Sequence, residues 1–262
     1  MNEKWTRVSR ASPCPICHKP DWCCVGERYV NCMRVVSDKV CKNGGYLHAL
    51  DERDKHHHFD VTIRIEPPRP NFAAHCREWS YFTDHASVTV LANKLGVSPL
   101  ALRCLGVVWT GENWAFPMRD KYGEICGIQI RHDNDFKQTM RGSRVGYFLP
   151  DCPADRTAYV CEGASDCASA LTLGLYAVGR YNCAQCGVDL GQYLRRKQVR
   201  DVVIVADNDA PGIAGAEKLC NELKMHSCIY TPPCKDLRSM VNLGGTRKLI
   251  ESTVSNLIWR QP

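Results

Sequence analysis

No apolar run in the sequence approaches the ~20 residues needed to cross a bilayer, and the opening M-N-E-K-W-T-R lacks the apolar core of a signal peptide. These absences argue against a membrane span and against export. No G-x-x-x-x-G-K-[ST] occurs either, so no P-loop motor is expected. Neither sign of charge dominates: the net charge of +6 names no polyanionic partner by itself, and where the cations sit must decide. Cysteine, by contrast, is abundant. Seventeen cysteines would suit a small secreted disulfide scaffold, but here the number is odd and the chain has 262 residues. Reduced thiols in a cytoplasm, some of them on a metal, are the expectation.

The first cysteines are grouped. Cys14 and Cys17 form a C-x-x-C knuckle whose turn aims two thiolates at one point, and Cys23 and Cys32 can complete a tetrahedral site. Cys24 competes with Cys23, and His18 and Cys41 are further candidates. V-G-E-R-Y-V-N-C between them reads as a short two-stranded ribbon. So few apolar residues build no core, whereas a structural zinc contributes about 10–16 kcal/mol of apparent binding energy. The segment is expected to fold only around metal.

Residues 51–71 read as a linker, with three consecutive histidines and a stiff P-P-R-P run. A second unit follows. Ser87 precedes V-T-V-L-A-N-K-L with apolar positions at helical spacing, Gly96 is a natural stop, and Ser98-Pro99 starts another short helix. Strand-like pieces come next: V-V-W-T, N-W-A-F-P-M-R, I-C-G-I-Q-I-R, F-K-Q-T-M-R and V-G-Y-F-L-P. They favour a mixed α/β unit over a helix-turn-helix. Between Phe136 and Phe148 lie three cations and no acid, interleaved with aromatics. That mixture suits a single-stranded nucleic acid, cations meeting phosphates and rings stacking on bases.

Chemistry concentrates further on. Thr157 to Cys161 and Val202 to Ala206 read as strands buried on both faces, each followed by acids and then a helix. The first ends in Glu162-Gly163, the second in D-N-D-A-P-G with Asp207 and Asp209. Acids so placed sit at the carboxyl edge of a sheet, where ligands of open α/β folds bind. Two carboxylates 4 Å apart repel by about 4 kcal/mol at an effective dielectric near 20. A hard divalent cation such as Mg²⁺ or Mn²⁺ offsets that repulsion. Cys183 and Cys186 form a second C-x-x-C with no partner pair nearby and read as ordinary loop cysteines. The tail from Thr246 to Arg260 reads as an amphipathic helix covering the sheet.

E-G-A-S-D, V-A-D-N-D-A-P-G and the later K-D-L-R-S-M, in that order, resemble the Toprim domain of primases and topoisomerases. C-P-I-C-H-K-P-D-W-C followed by a lone cysteine and M-R resembles the zinc ribbon of phage and plasmid primases. It departs from the commoner primase pattern, which has a second C-x-x-C. F-P-M-R-D-K-Y-G-E-I-C-G-I-Q-I-R with F-K-Q-T-M-R-G-S-R-V-G-Y-F resembles the amino-terminal half of the primase RNA-polymerase core.

The resemblance implies an α/β chain: zinc ribbon 1–50, linker 51–71, basic α/β subdomain 72–156, and a Rossmann-like Toprim domain with a C-terminal helix at 157–262. It implies primer synthesis on single-stranded DNA from ribonucleoside triphosphates. Glu162, Asp207 and Asp209 would be catalytic; those three and Asp236 would hold Mg²⁺ or Mn²⁺, with Asp166 in support. Zinc would sit on Cys14, Cys17, Cys23 and Cys32. Arg119, Arg131, Lys137, Arg141 and Arg144 would form a basic ridge for template and nucleotide. A separate replicative helicase and a cytoplasmic setting complete the picture, with a metal-dependent nuclease or a non-catalytic regulator as alternatives.

Overall fold

The amino-terminal cysteines draw four short strands around themselves in the computed structural model, which describes residues 5–41, 44–50 and 70–262. Strands β1 (Thr6–Arg7), β2 (Cys24–Val25), β3 (Tyr29–Cys32) and β4 (Tyr46–Ala49) form an antiparallel meander. The expected two-stranded ribbon is its β2–β3 pair, with Cys24 opposite Asn31. The fully buried apolar set is Val30 with Cys14, Cys23 and Cys32. One fully buried valine supplies only about 2 kcal/mol, and the partly covered Val8, Ile16, Val25, Met33 and Val35 add fractions of that each, less than the ordering of four strands costs. The sulfur cluster must hold this unit together.

The chain divides into two compact units, 1–68 and 69–262. The expected linker, with its histidine run, lies outside the described residues except for Pro70 and Asn71. The second unit opens with helix α1 (Phe72–Ser80), capped by Asn71, which no periodicity had suggested. Helix α2 (His85–Leu95) starts earlier than Ser87, because Asp84 supplies the cap and accepts the Ser87 N–H. It stops at Gly96, whose left-handed φ of 70° suits glycine. Helix α3 (Pro99–Cys104) has the expected Ser98 cap.

Strands β5 (Val108–Trp109), β6 (Trp114–Arg119), β7 (Ile125–Arg131), β8 (Lys137–Thr139) and β9 (Tyr147–Phe148) follow. Then strand and helix alternate: β10 (Thr157–Glu162), α4 (Gly163–Thr172), β11 (Ala177–Arg180), α5 (Val188–Arg196), β12 (Asp201–Val205), α6 (Ala210–Leu223) and β13 (His226–Tyr230). The chain closes with α7 (Leu237–Asn242) and α8 (Arg247–Val254). Helix α8 buries Ile250 and Val254 as its amphipathic pattern requires, but ends before the expected Arg260, whose backbone instead pairs with Ser227.

Strands β5 to β13 form one sheet of order β13-β12-β10-β11-β9-β6-β7-β8, with β5 on β6. Segments 72–156 and 157–262 share this sheet and one core: Leu91, Leu102 and Phe116 of the first pack in a cluster with Cys161, Ala168 and Ile250 of the second. Strands β10 to β13 are parallel. From β10 the chain moves to β11 through α4 on one face. From β12 it moves to β13 through α6, on the face of the second core. The sheet therefore reverses its winding between β10 and β12. A crevice opens at the carboxyl ends of such a strand pair.

Candidate active site

Glu162 ends β10 and Asp207 follows β12 within two residues, so the switch point is flanked by two carboxylates. The turns that place them are tight. Gly163 has φ 78°, open to glycine and strained for other residues, and lets β10 pass into α4 immediately after Glu162. A Cβ on Gly212 would stand 2.6 Å from the Asp207 carbonyl oxygen, so only glycine lets α6 start this close to the acid. Asp209 caps α6, accepting the Gly212 N–H at 2.7 Å. Asp236 caps α7, accepting the Ser239 N–H at 2.7 Å. The Asn208 N–H donates to the Lys235 carbonyl at 2.8 Å and ties those two loops together. Asp166, in the first turn of α4, accepts the Arg238 N–H at 2.9 Å.

Five carboxylates share this edge and feel one another's charge, without gathering as tightly as the four amino-terminal sulfurs do. Burial pushes the Asp207 carboxyl up to about 7, with Asp166, Glu162, Asp236 and Asp209 adding repulsion. Burial likewise raises Asp166 to about 6, with the Asp236 charge contributing. Among the described residues, none of the five forms an ion pair with Lys, Arg or His. Mutually repelling carboxylates, two of them buried and none ion-paired among the described residues, are a donor set that suits a hard divalent ion.

An apo-protein with a raised carboxyl pKa is less stable when that group ionises. The folded state holds the Asp207 proton up to about pH 7, whereas an unfolded aspartate releases it near 3.8. Stability is therefore lost as pH rises between those values. In metal-free buffer at pH 8, Asp207→Asn is expected to raise Tm by about 2–6 °C. Mg²⁺ should then stabilise the wild type more than the variant; calorimetry with and without Mg²⁺ checks both.

The basic residues do not form one ridge. Arg131 is 5% exposed, paired with Asp135 at 2.9 Å and bonded to the Ser165 hydroxyl of α4 at 3.3 Å. It braces β7 against α4 rather than offering a free charge. Lys137 of β8 is exposed and near Asp166. Desolvation, joined by Arg131 and Arg238, pulls its ammonium below the usual lysine value, with Asp166 and Asp135 opposing. A Thr139–Tyr181 hydroxyl contact of 2.8 Å binds β8 to the loop after β11, bringing this basic segment to the carboxyl edge. Arg141 and Arg144 are exposed. Arg119 lies apart, in a pocket of about 160 Å³ that none of the five acids lines.

One residue had not been anticipated. Arg180 ends β11 in register with Glu162. It is 1% exposed, and its Nη1 donates to the Cys183 carbonyl at 3.0 Å while its Nε has no hydrogen-bond partner. Burial lowers its pKa and the Glu162 charge opposes that shift. The only sequence signal was a cation ending an A-V-G-R strand.

In the amino-terminal unit, ligand atoms of Cys14, Cys17, Cys23 and Cys32 all lie within 4.8 Å of one another, the one such cluster among the described residues. Cys17 and Cys23 sulfurs are 3.7 Å apart, and Cys23 and Cys32 sulfurs 4.0 Å. A tetrahedral ion with metal–sulfur bonds of about 2.3 Å needs roughly 3.8 Å. Cys24, His18 and Cys41 stand outside the cluster. Backbone N–H groups of Met33, Arg34 and Val35 donate to the Cys23 and Cys32 sulfurs. The Arg34 guanidinium reaches the Cys17 and Cys23 sulfurs while paired with Asp21 at 2.6 Å. These donors match sulfurs carrying negative charge. Cys183 and Cys186 join no cluster among the described residues.

Residues 159–241 match the Toprim-like family model. They form a Toprim-like domain. No curated protein matches the sequence, but solved structures match the fold. The primase fragment of the bacteriophage T7 primase-helicase protein aligns over 92% of this chain and 97% of its own, at 17% identity and TM-score 0.55. The DnaG catalytic core aligns over 71% and 80%, at 16% identity and TM-score 0.56. The Aquifex aeolicus primase, with zinc-binding and RNA polymerase domains, aligns over 72% and 60%, at 13% identity and TM-score 0.58. The chain has the fold of a primase catalytic core with a Toprim-like domain. No helix among the described residues is long and apolar enough to cross a membrane.

Proposed function

We propose that the protein is a DNA primase, joining ribonucleoside triphosphates on a single-stranded DNA template. The observation that carries this reading is the set of five carboxylates, none ion-paired among the described residues, at the switch point of a primase-type core. The 3′-hydroxyl of one nucleotide attacks the α-phosphate of the next, and pyrophosphate leaves. Asp207, Asp209 and Asp236 would hold Mg²⁺ or Mn²⁺, which when bound neutralises charge on the attacking and leaving oxygens. Glu162 lies across the crevice from Asp207 and is the group to ligate alongside them or to take the hydroxyl proton. Asp166 is a positioning residue, since it fixes the start of α7 through the Arg238 N–H. Lys137, at the same edge, meets triphosphate or template phosphate, with Arg141 and Arg144 beyond it. Zinc suits the four thiolates, whose closed set leaves no position for a catalytic water.

A structure of the DnaG primase catalytic domain bound to single-stranded DNA, at 15% identity and TM-score 0.56, supports the choice of partner. A replicative helicase as a separate polypeptide in a bacterial cytoplasm completes the proposal. The deciding reaction contains single-stranded DNA, labelled ribonucleotides and Mg²⁺ or Mn²⁺. Short labelled products are expected; loss of template would identify a nuclease, and binding without turnover a regulator.

Lys137→Ala and Arg141→Ala are each expected to lower the log–log salt slope of single-strand binding by roughly 0.7, one phosphate contact apiece. Anisotropy titrations at several salt concentrations measure the slopes. Unchanged slopes would make both side chains solvent-facing bystanders.

A further inference from the structure

The pocket that holds Arg119 is lined by none of the five carboxylates. Its lining includes Leu149 and Tyr193, which belong to the second core, where α5 and α6 pack, whereas α4 belongs to the first. Tyr193 and Lys197 lie at the carboxyl end of α5, just before β12 begins. Arg119 is in register with Tyr147, which pairs with Arg180 beside Glu162, so the pocket starts three strands from Glu162 and reaches to Tyr193 and Lys197 at the end of α5.

Its chemistry is that of a phosphate and a ring. Arg119 and Lys197 line it, with Asp151 as the one acid. Tyr122, at its mouth, is 68% exposed. The Arg196 guanidinium stands 5.0 Å from the Tyr122 ring centre and the Lys121 ammonium 5.6 Å. Lys121 is paired with Asp189 at 3.1 Å, but Arg119, Arg196 and Lys197 have no ion-pair partner among the described residues. One of these unpaired cations, Arg196, stands over the exposed Tyr122 ring, and the other two line the pocket with it, Lys197 5.8 Å from the Tyr193 ring centre. A volume of about 160 Å³ is too small for a nucleotide, since ligand pockets run to roughly 300–1,000 Å³. It does accommodate a phosphate group, with the attached base left outside to stack on Tyr122.

We propose that Arg119, Tyr122, Arg196 and Lys197 form a second contact site for a single-stranded nucleic acid, holding phosphate and stacking a base to the side of the carboxylate crevice, three strands from Glu162. The site guides a strand that enters or leaves the carboxylate edge. Choosing a nucleic acid draws on the primase reading, but the test uses equilibrium binding and no synthesis, so failure of one leaves the other standing.

The full-length protein and its Tyr122→Ala and Arg196→Ala/Lys197→Ala variants are titrated with fluorescent oligothymidylates of about 5 and about 25 nucleotides, lengths below and above the span of one binding site. Tyr122→Ala is expected to weaken the long oligonucleotide about tenfold, and the double variant to lower its salt slope by roughly 1.4. Affinity for the short one should not change, and thermal melts should match the wild type because these side chains are exposed. Unchanged binding of the long strand would overturn the proposal. So would an equal loss at both lengths, which would put these residues in the crevice. A loss confined to free nucleoside triphosphate, followed by calorimetry, would reassign the pocket to a mononucleotide.

Discussion

Asp207→Asn and Asp209→Asn are expected to lower primer synthesis by about 10³-fold or more while the protein keeps its fold. Stabilisation of the attacking and leaving oxygens by bound metal amounts to several kcal/mol, and each 1.36 kcal/mol is a factor of ten in rate. Asparagine is the informative replacement. Asp209 accepts the Gly212 N–H at the start of α6, and alanine there would remove a cap worth about 1 kcal/mol, mixing stability with chemistry. Asparagine keeps the acceptor and removes the charge. The same holds for Asp236, which caps α7. Asp207 makes no cap, and its neutralisation relieves repulsion from four neighbouring acids. Quenched-flow synthesis at saturating Mg²⁺ is the measurement. Variants that retain wild-type rates would dismiss the carboxylates as the metal-binding centre.

The second large effect is expected in the amino-terminal unit. Cys14→Ser should abolish its fold, because apart from the sulfurs the cluster has one fully buried apolar residue, Val30, with Val8, Ile16, Val25, Met33 and Val35 only partly covered. Loss of a closed thiolate site removes about 10–16 kcal/mol of apparent binding energy, more than so small a unit recovers elsewhere. A chain starting at Asn71 should stay folded, since residues 69–262 make their own sheet and cores. Both proteins should carry about one zinc less, elongate a pre-annealed primer weakly, and lose initiation on bare template. Metal analysis and primer assays on the two template types check this. Initiation by the shortened chain at unchanged template positions would reassign the cysteine unit, most simply as a docking site for a helicase.

Local patterns in the sequence determined a good deal. The knuckle spacing, the strand–acid–helix units, the Gly96 stop and the Ser98 cap depend on residues a few positions apart, so their physics is written in order along the chain. Asp84 in place of Ser87 as the cap of α2 is a local miss of the same scale. Helix α1 gave no signal, because Phe72 and Cys76 are the only residues it buries.

Tertiary structure decided what long-range pairing decides. Glu162 and Asp207 are 45 positions apart in the sequence and adjacent in space only because β12 pairs with β10, at the point where the sheet reverses its winding. Cys23 outranks Cys24 because strand β2 begins at Cys24, opposite Asn31, while the Cys23 sulfur lies beside those of Cys17 and Cys32. The five cations of the expected ridge look alike in sequence, and packing separated them. Arg131 turned inward to Asp135 and Ser165, Lys137 came to the acid edge, and Arg119 lies three strands from Glu162 in a pocket it shares with Lys197. A side chain's type states which interactions it is able to make. Which one it makes depends on the neighbours that strand order supplies, and strand order follows from burying two apolar faces at once, a property of the whole sheet.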